Sequence, residues 1–201
     1  MSSVLILEGV TGAGKTSVLR AMESCFSHRP SLIPEEDTLG DLMNQVRNPA
    51  WRERPRFEAL DAVLARIERH RDEGAAGLLL VERFHLTAYA LFPRWELLDQ
   101  YDERLEALDA SLVLLTFPSE LAETRSIERP DRLEWAQDMD AWYGSREAAI
   151  EAVRWSQAHR WDGLKKTRLP FLHLDTRRQD WSRYARAIKA FVKPPGAVKW
   201  T

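Results

Sequence analysis

The sequence predicts an α/β protein built on a doubly wound, mostly parallel sheet of five strands with helices on both faces. Two observations support this prediction. Short, continuously apolar segments alternate along the chain with longer amphipathic segments, and strands covered by helices on both faces have this apolar character. In addition, a glycine-rich segment joins the first strand to the first helix. Alternation of this kind indicates right-handed crossovers between parallel strands.

The predicted strands are short and mainly apolar, and they cover residues 4–7, 31–33, 78–81, 111–117 and 171–174. The predicted helices have apolar residues three or four positions apart, and they cover residues 16–26, 54–72, 95–107, most of 120–160, and 181–192. Internal repeats, low-complexity segments and linkers are absent from the sequence. This pattern predicts a single domain over residues 1–201.

The composition favours a protein whose ligands are small molecules. Of the 201 residues, 44% are apolar, and the formal net charge is only −2. This charge predicts that neither a nucleic acid polymer nor a membrane is a partner. The longest apolar run is too short to span a bilayer and no secretory leader is visible, so we expect a cytoplasmic protein. Cys25 is the single cysteine, which excludes an internal disulfide, and we predict a buried thiol in the first helix.

The segment GVTGAGKT at residues 9–16 follows the first strand and opens the first helix. It matches the pattern G-x-x-x-x-G-K-[ST], in which backbone N–H groups and a helix N-terminus surround a phosphate. Lys15 is expected to reach the β- and γ-phosphates of ATP, and the Thr16 hydroxyl to bind Mg²⁺. The predicted nucleotide-binding residues are Gly9, Thr11, Gly12, Ala13, Gly14, Lys15, Thr16 and Ser17.

Nucleotide binding alone does not separate a kinase from a regulatory switch. A GTPase normally carries an Asn-Lys-x-Asp segment that reads guanine, and this sequence contains no Asn-Lys pair. The run Asp37-Thr38-Leu39-Gly40 matches the D-x-x-G pattern of switches, but two fixed positions are weak evidence. The sequence therefore favours a phosphotransferase, with a P-loop regulator without an acceptor as the alternative.

Three further segments carry a resemblance to a known family. Ile6-Leu7-Glu8-Gly9 leads into the glycine loop, Pro34-Glu35 follows the second strand, and Glu82-Arg83 follows the third. In order and spacing, these segments resemble the deoxynucleoside kinase and thymidylate kinase superfamily. The resemblance extends from Val4 to about Leu174 and implies the fold of a nucleotide kinase with a helical lid.

The resemblance also implies roles for individual residues. Glu35 corresponds to the family's base for the acceptor hydroxyl, with Glu36 as the alternative. Glu82 corresponds to the acidic residue that serves the metal, and Arg83 to the arginine that contacts the phosphates or the acceptor. Both pairs follow strands, and ligands of open parallel sheets bind at the carboxyl ends of the strands.

A lid is expected over residues 118–135. Arg125, Arg129 and Arg132 lie there, and in the family such arginines close over the transferred phosphoryl group. Arg125 and Arg129 are four residues apart, which places both on one face of an α-helix. We therefore expect both guanidinium groups to reach the phosphate oxygens.

The acceptor is left open by the sequence. In the family the helix predicted at 54–72 binds the nucleoside, and Arg66 resembles the arginine of that helix. However, Glu58 and Ala59 stand where deoxynucleoside kinases have a glutamine that holds the base, and Ala59 cannot form that hydrogen bond. Pro34 stands where thymidylate kinases have an arginine. A nucleoside, a nucleoside monophosphate, and a non-nucleoside hydroxyl of an antibiotic or metabolite all stay possible.

The sequence contains eight tryptophans. Trp51 or Trp95 could stack on a ring of the acceptor. Three others, Trp135, Trp142 and Trp155, fall on the long late helical segment and could form the face of a homodimer. The histidines lack the spacing of metal ligands, so a zinc site is not expected.

Overall fold

The centre of the structure is a sheet of five parallel strands. The computed structural model describes residues 3–26, 29–47, 55–74, 77–129, 132 and 134–192. The strands are β1 (Ser3–Glu8), β2 (Ser31–Ile33), β3 (Leu78–Glu82), β4 (Ser111–Thr116) and β5 (Phe171–Asp175). Their order across the sheet is β2-β3-β1-β4-β5, and every pairing is parallel. The predicted fold class and all five predicted strands are confirmed.

The central strand β1 shows why the apolar runs form strands buried on both faces. Val4 and Ile6 point into one hydrophobic core, and Leu5 and Leu7 point into the other. Because side chains alternate across a strand, a strand with helices on both sides must be apolar at every position. The carboxyl ends of β2, β3 and β1 are neighbours in this order, which brings the residues after them together.

The helices that cover the two faces of the sheet are α1 (Lys15–Glu23), α2 (Glu36–Arg47), α3 (Glu58–Asp72), α4 (His85–Leu91), α5 (Asp99–Ala107), α6 (Trp135–Tyr143), α7 (Arg146–Leu164) and α8 (Trp181–Phe191). A 3-10 turn at Trp95–Leu97 precedes α5, so the helix predicted at 95–107 is split. Among the described residues, no helix combines the length and the apolar character needed to cross a membrane.

Two helices were not predicted. The acidic residues after β2 open the twelve-residue helix α2, which is absent from the predicted helices. Helix α4 is only seven residues long, and six of these are buried, so it lacks the polar face by which a surface helix is recognised. The switch pattern at residues 37–40 lies within α2 and not in a loop between elements.

The segment predicted as the lid has an irregular start. A 3-10 turn at Ser119–Leu121 leads into a π-helical turn at Glu123–Ile127. Because that turn ends before Arg129, the predicted alignment of Arg125 and Arg129 on one α-helical face is wrong. Pro130 and Asp131, the predicted tip of the lid, lie outside the described residues.

Cys25 is placed differently from its prediction. Helix α1 ends at Glu23, so Cys25 lies in the turn that follows, where its N–H donates to the carbonyl oxygen of Met22. The side chain is half-buried against the core on the α1 side of the sheet. The thiol therefore packs at the edge of the core rather than inside the helix.

Candidate functional site

The glycine loop forms a tight turn that neighbouring segments hold in place. Gly12 has a φ of +80°, a conformation that residues with a side chain rarely adopt. A Cβ atom on Gly12 would lie 2.0 Å from the carbonyl oxygen of Arg125. The Ser126 hydroxyl donates to the carbonyl oxygen of Thr11 at 2.6 Å. The π-helical turn at Glu123–Ile127 is therefore in direct contact with the loop.

This contact predicts a large effect of Gly12→Ala on stability. The substitution adds both a disfavoured φ and a backbone clash, and we expect a loss of about 3 kcal/mol or more in the free energy of unfolding. Gly144→Ala is the matched control, because Gly144 has a φ of +86° but open space around its Cα. It should lose only about 1–2 kcal/mol, the cost of the left-handed backbone. Urea denaturation of both variants measures the difference; equal losses would show that the close approach of Arg125 has no effect.

Four charged side chains meet beside this loop, and we call them the Lys15 cluster: Lys15, Glu35, Glu82 and Arg83. Lys15 Nζ lies 3.4 Å from Glu35 Oε2 and 3.8 Å from Glu82 Oε1. Arg83 Nε lies 2.7 Å from the same Glu35 oxygen. Lys15 and Arg83 are each less than a tenth exposed. The residues that the sequence singled out after β1, β2 and β3 thus form one buried cluster.

Burial and mutual charge shift the pKa values within the cluster. Burial lowers the pKa of Lys15 to about 8, with a further contribution from the Arg83 charge. Burial alone would raise the pKa of Glu35, but the charges of Arg83 and Lys15 outweigh it and hold that pKa below its ordinary value. Burial raises the pKa of Glu82, although Lys15 opposes this. Glu35 is therefore a carboxylate near neutral pH, and Lys15 loses its proton far more readily than an exposed lysine.

Arg83 adopts an unusual backbone conformation. Its φ is +57°, which costs a residue with a side chain on the order of 1–3 kcal/mol. Its N–H donates to the carbonyl oxygen of Leu7 at 3.0 Å, and its Nη2 donates to Thr11 Oγ1 at 3.2 Å. The strained backbone thereby directs the guanidinium group toward the glycine loop and Glu35.

Two cavities open on this cluster. The first, which we call the P-loop cavity, has a volume of about 680 Å³. It is lined by the glycine loop, by the Lys15 cluster and by three arginines of the predicted lid segment, namely Arg125, Arg129 and Arg132. Trp181 and Gln179 line it beyond the loop. Its lining combines the glycine loop with five cationic side chains, which suits a polyphosphate.

The second cavity, which we call the helical cavity, has a volume of about 400 Å³ and lies between α2, α4, α6 and α7. Its lining is mainly apolar and aromatic, and Arg160 lies at its buried side. Thr11, Glu35, Leu39, Arg83 and Trp135 line both cavities. The two spaces therefore meet at Glu35 and Arg83, directly beside Lys15.

The P-loop cavity also contains groups that fit Mg²⁺. Thr16 supplies a hydroxyl and Glu82 a carboxylate to its lining. Within the described ranges, no group of three or more His, Cys, Asp or Glu side chains could form a metal cage. Mg²⁺ is commonly held by one or two protein oxygens together with waters and substrate phosphates, so this sparse set of oxygens fits it.

Comparisons with known proteins show which solved structures share this fold. No family model matches the sequence, and no curated protein matches it. Solved structures do match, among them the YorR protein of Bacillus subtilis in complex with phosphorylated GDP, at 14% identity and a TM-score of 0.58 over 93% of each chain. A deoxyadenosine kinase of M. mycoides, with the products dCMP and dCDP, matches at 14% identity and a TM-score of 0.55 over 93% of this chain and 97% of that chain.

A sugar kinase of Janibacter sp. HTCC2649 in unliganded form also matches, at 14% identity and a TM-score of 0.55 over 96% of this chain and 99% of that chain. The chain has the P-loop nucleoside and nucleotide kinase fold. This confirms the fold that the glycine loop and the two acidic segments implied. The similarity extends over nearly the whole length of both chains in each comparison.

Arg125 lines the P-loop cavity, and its guanidinium group is held by other groups of the protein. Its Nη2 donates to the carbonyl oxygen of Gly12 at 2.7 Å, and its Nη1 donates to the carbonyl oxygen of Thr176 at 3.1 Å. The guanidinium group also lies 5.2 Å from the ring centroid of Phe117 and 5.9 Å from that of Trp181. Arg125 thus braces the glycine loop, and together with Arg129 and Arg132 it lines the P-loop cavity.

Arg66 does not lie at the acceptor site for which it was predicted. It forms an ion pair with Asp37 on the surface of α3 and lines neither cavity. The apolar face of α3 packs into the core through Leu60 and Leu64. The helix predicted to bind the acceptor therefore supports α2, and α2 provides the lining instead.

The structure also locates four of the tryptophans that the sequence analysis considered. Trp135 and Trp142 line the helical cavity, and Trp142 is also half exposed, so a homodimer face at these residues stays a prediction. Trp95 packs against the core beside His85 and Tyr89 rather than facing the cavity. Trp155 is nearly half exposed and stacks on His159. Trp51, the other predicted stacking residue, lies outside the described residues.

Sequence reasoning missed Arg160. It is 2% exposed, its Nη2 donates to Thr87 Oγ1 at 3.0 Å, and its Nε lies 3.5 Å from Glu8 Oε2. Glu8 is fully buried and also accepts from the N–H groups of Phe84 and Thr87. Phe84 itself is a core residue. Nothing in the local sequence distinguishes Arg160 from the many arginines around it.

Proposed function

We propose that this protein is a Mg-ATP-dependent kinase that transfers the γ-phosphoryl group to a hydroxyl or phosphate of a small acceptor in the helical cavity. One observation carries the proposal. A cation-rich cavity on the glycine loop and a second cavity of about 400 Å³ meet at the Glu35 carboxylate and Arg83, beside the buried Lys15. The kinases and nucleotide-bound proteins among the structural matches support the same class of reaction.

In this proposal the glycine-loop N–H groups and Lys15 bind the phosphates of ATP in the P-loop cavity. Thr16 and Glu82 would hold Mg²⁺, which neutralises charge on the β- and γ-phosphate oxygens. Arg83, Arg129 and Arg132 contribute further positive charge around the transferred group. The donor base lies beyond Gly14, toward Gln179 and Trp181.

The proposed reaction joins the two cavities at Glu35. The acceptor oxygen attacks the γ-phosphorus, an O–P bond forms, and the bond from the γ-phosphorus to the β,γ-bridging oxygen breaks to release ADP. The hydroxyl proton passes to the Glu35 carboxylate, which need only be a modest base because such transition states are loose. Glu36 lines only the helical cavity and not the P-loop cavity, so Glu35 is the better placed of the two candidate bases.

A P-loop regulator is the competing class. A regulator has no need of a second cavity beside its phosphate site, and the D-x-x-G run that favoured a switch lies in a helix. The decisive experiment measures ADP formation from Mg-ATP against nucleosides, nucleoside monophosphates and uncharged alcohols. We expect at least one class of acceptor to raise the rate well above the background. Equal, slow hydrolysis throughout the panel would favour the regulator.

The pKa of Lys15 predicts the pH dependence of this activity. The charged lysine is required, and its pKa is lowered to about 8, so kcat/KM should fall about tenfold per pH unit above that value. Bound phosphates stabilise the charged form, and the corresponding fall in kcat should lie at a higher pH. In the Lys15→Arg variant the side chain stays charged at high pH. Its kcat/KM should therefore show no fall above pH 8, even if the variant is slower than the wild type. A wild-type profile that stays flat to pH 10 would show that Lys15 titrates in its ordinary range.

A further inference from the structure

The helical cavity has walls of a distinctive kind. Most of the side chains around it are aliphatic or aromatic, and they come from four different helices. Trp135 and Trp142 meet edge to face with their ring centroids 5.3 Å apart, and Tyr143 follows on the same helix. Binding sites with such walls gain affinity mainly by burying apolar and aromatic surface.

The two cations that line the helical cavity are paired within the protein. Arg83 is ion-paired with Glu35. Arg160 donates to the carbonyl oxygen of Ser156 at 3.2 Å and to Thr87 Oγ1, and it lies beside the buried carboxylate of Glu8. Glu36 adds a further negative charge to the lining. An acceptor that already carries a phosphate would therefore bring uncompensated negative charge into an apolar site, which is costly.

The lining also lacks the groups that hold a nucleobase by its edge. Among the described residues around the helical cavity, there is no asparagine or glutamine side chain. Gln45 lies on α2, but its amide group donates to the carbonyl oxygen of Arg56 at 2.6 Å and accepts from the Arg56 N–H at 2.6 Å. The hydroxyls of Thr87 and Ser156 in the lining already accept from Arg160, so a base would lose its hydrogen bonds to water here with little replacement.

Because the lining is apolar, its cations are paired and it has no amide side chain, we propose that the helical cavity binds an uncharged alcohol with an aromatic or apolar body. Such an alcohol is preferred to a nucleoside or a nucleoside monophosphate. The identification of this alcohol as the acceptor rests on the proposed kinase function. The apolar body lies among α2, α6 and α7, and the hydroxyl points to Glu35, where the two cavities meet.

A binding experiment tests the proposal without relying on turnover. The probes are 1,4-benzenedimethanol and 2-naphthaleneethanol as uncharged alcohols, 4-(hydroxymethyl)benzoate as the charged counterpart of similar size, and thymidine and dTMP. Calorimetry is performed on the full-length protein with a non-hydrolysable ATP analogue and Mg²⁺. We expect the uncharged aromatic alcohols to bind at least about tenfold more tightly than the benzoate, thymidine and dTMP, which corresponds to about 1.4 kcal/mol.

Two tryptophan variants locate the binding site. Trp142 is 50% exposed and lines the helical cavity, whereas Trp155 is 46% exposed and does not. Trp142→Ala should weaken binding of the aromatic alcohols roughly fivefold, in line with the strength of aromatic contacts. Trp155→Ala should leave it within about twofold, because it removes a ring of equal exposure outside the cavity. Equal effects of the two variants would place the alcohol elsewhere on the protein.

The outcomes separate this inference from the kinase proposal. If thymidine or dTMP binds more tightly than the alcohols and supports ADP formation, the kinase proposal stands and the inference about the acceptor is wrong. If the alcohols bind in the helical cavity but no compound raises ADP formation, the inference about the cavity stands and the kinase proposal fails. If the alcohols fail to bind at millimolar concentration, the inference is wrong.

Discussion

Replacing Lys15 with Ala should reduce phosphoryl transfer by roughly 10³-fold or more, since a cation on the transferred group often contributes that much to catalysis. Lys15 is the buried cation at which the glycine loop, Glu35 and Glu82 meet. In the proposed reaction its ammonium group offsets the charge that develops on the β- and γ-phosphates. Initial rates of ADP formation at saturating acceptor measure the loss.

Lys165→Ala is the control for this variant. Lys165 is exposed beyond the end of α7, so its removal should change the rate less than twofold, as surface substitutions usually do. Thermal unfolding of both variants is compared with the wild type, because Lys15 is buried among charges. A folded Lys15→Ala variant with the full rate would overturn the assignment of the P-loop cavity as the donor site.

Glu35→Gln should lower kcat by about 10²- to 10⁴-fold, the usual contribution of a general base. Glutamine has nearly the same shape as glutamate but cannot take the acceptor proton. The variant also weakens the ion pairs of Glu35 with Arg83 and Lys15. This second effect would change KM for ATP, whereas loss of the base changes kcat. If the main role of Glu35 lies in the chemical step, kcat should change more than KM.

Glu36→Gln is the sharpest comparison for this variant. The two glutamates are adjacent in sequence and both line the helical cavity, but only Glu35 also lines the P-loop cavity. We expect Glu36→Gln to change kcat by less than about tenfold, below the range of a general base. Glu58→Gln, on the exposed face of α3, controls for the loss of a surface charge. A loss below tenfold for Glu35→Gln would exclude that residue as the base.

The sheet could be predicted because its strands are buried on both faces. Continuous apolar runs such as 78–81 have no polar face, so they are not surface helices, and their short length indicates buried strands. Helix α2 was missed because it begins in an acidic run after Pro34 and contains Gly40, both of which suggest a loop. Its apolar residues Leu39, Leu42, Met43 and Val46 do have helical spacing, and this signal could have identified it.

The candidate site could be predicted where it depends on the ends of adjacent strands. Glu35, Glu82 and Arg83 each follow a strand, and the order of β2, β3 and β1 brings them beside Lys15. Arg160 and Trp142 could not be assigned, because their places depend on how α6 and α7 pack over α2 and α4. Contacts such as the one between Arg160 and Thr87, across 73 positions of the chain, leave no trace in local sequence patterns.

The bracing of the glycine loop has a consequence for how nucleotides bind. Arg125 holds the carbonyl oxygen of Gly12, Ser126 holds that of Thr11, and the indole of Trp181 lies against Gly14. All three contacts are made by the protein itself rather than by a phosphate, so they restrict the backbone of the loop. Association then requires little loss of backbone entropy, and more of the interaction energy is retained as affinity. In the proposed function, the loop is therefore a preorganised phosphate site and does not have to fold around the phosphate.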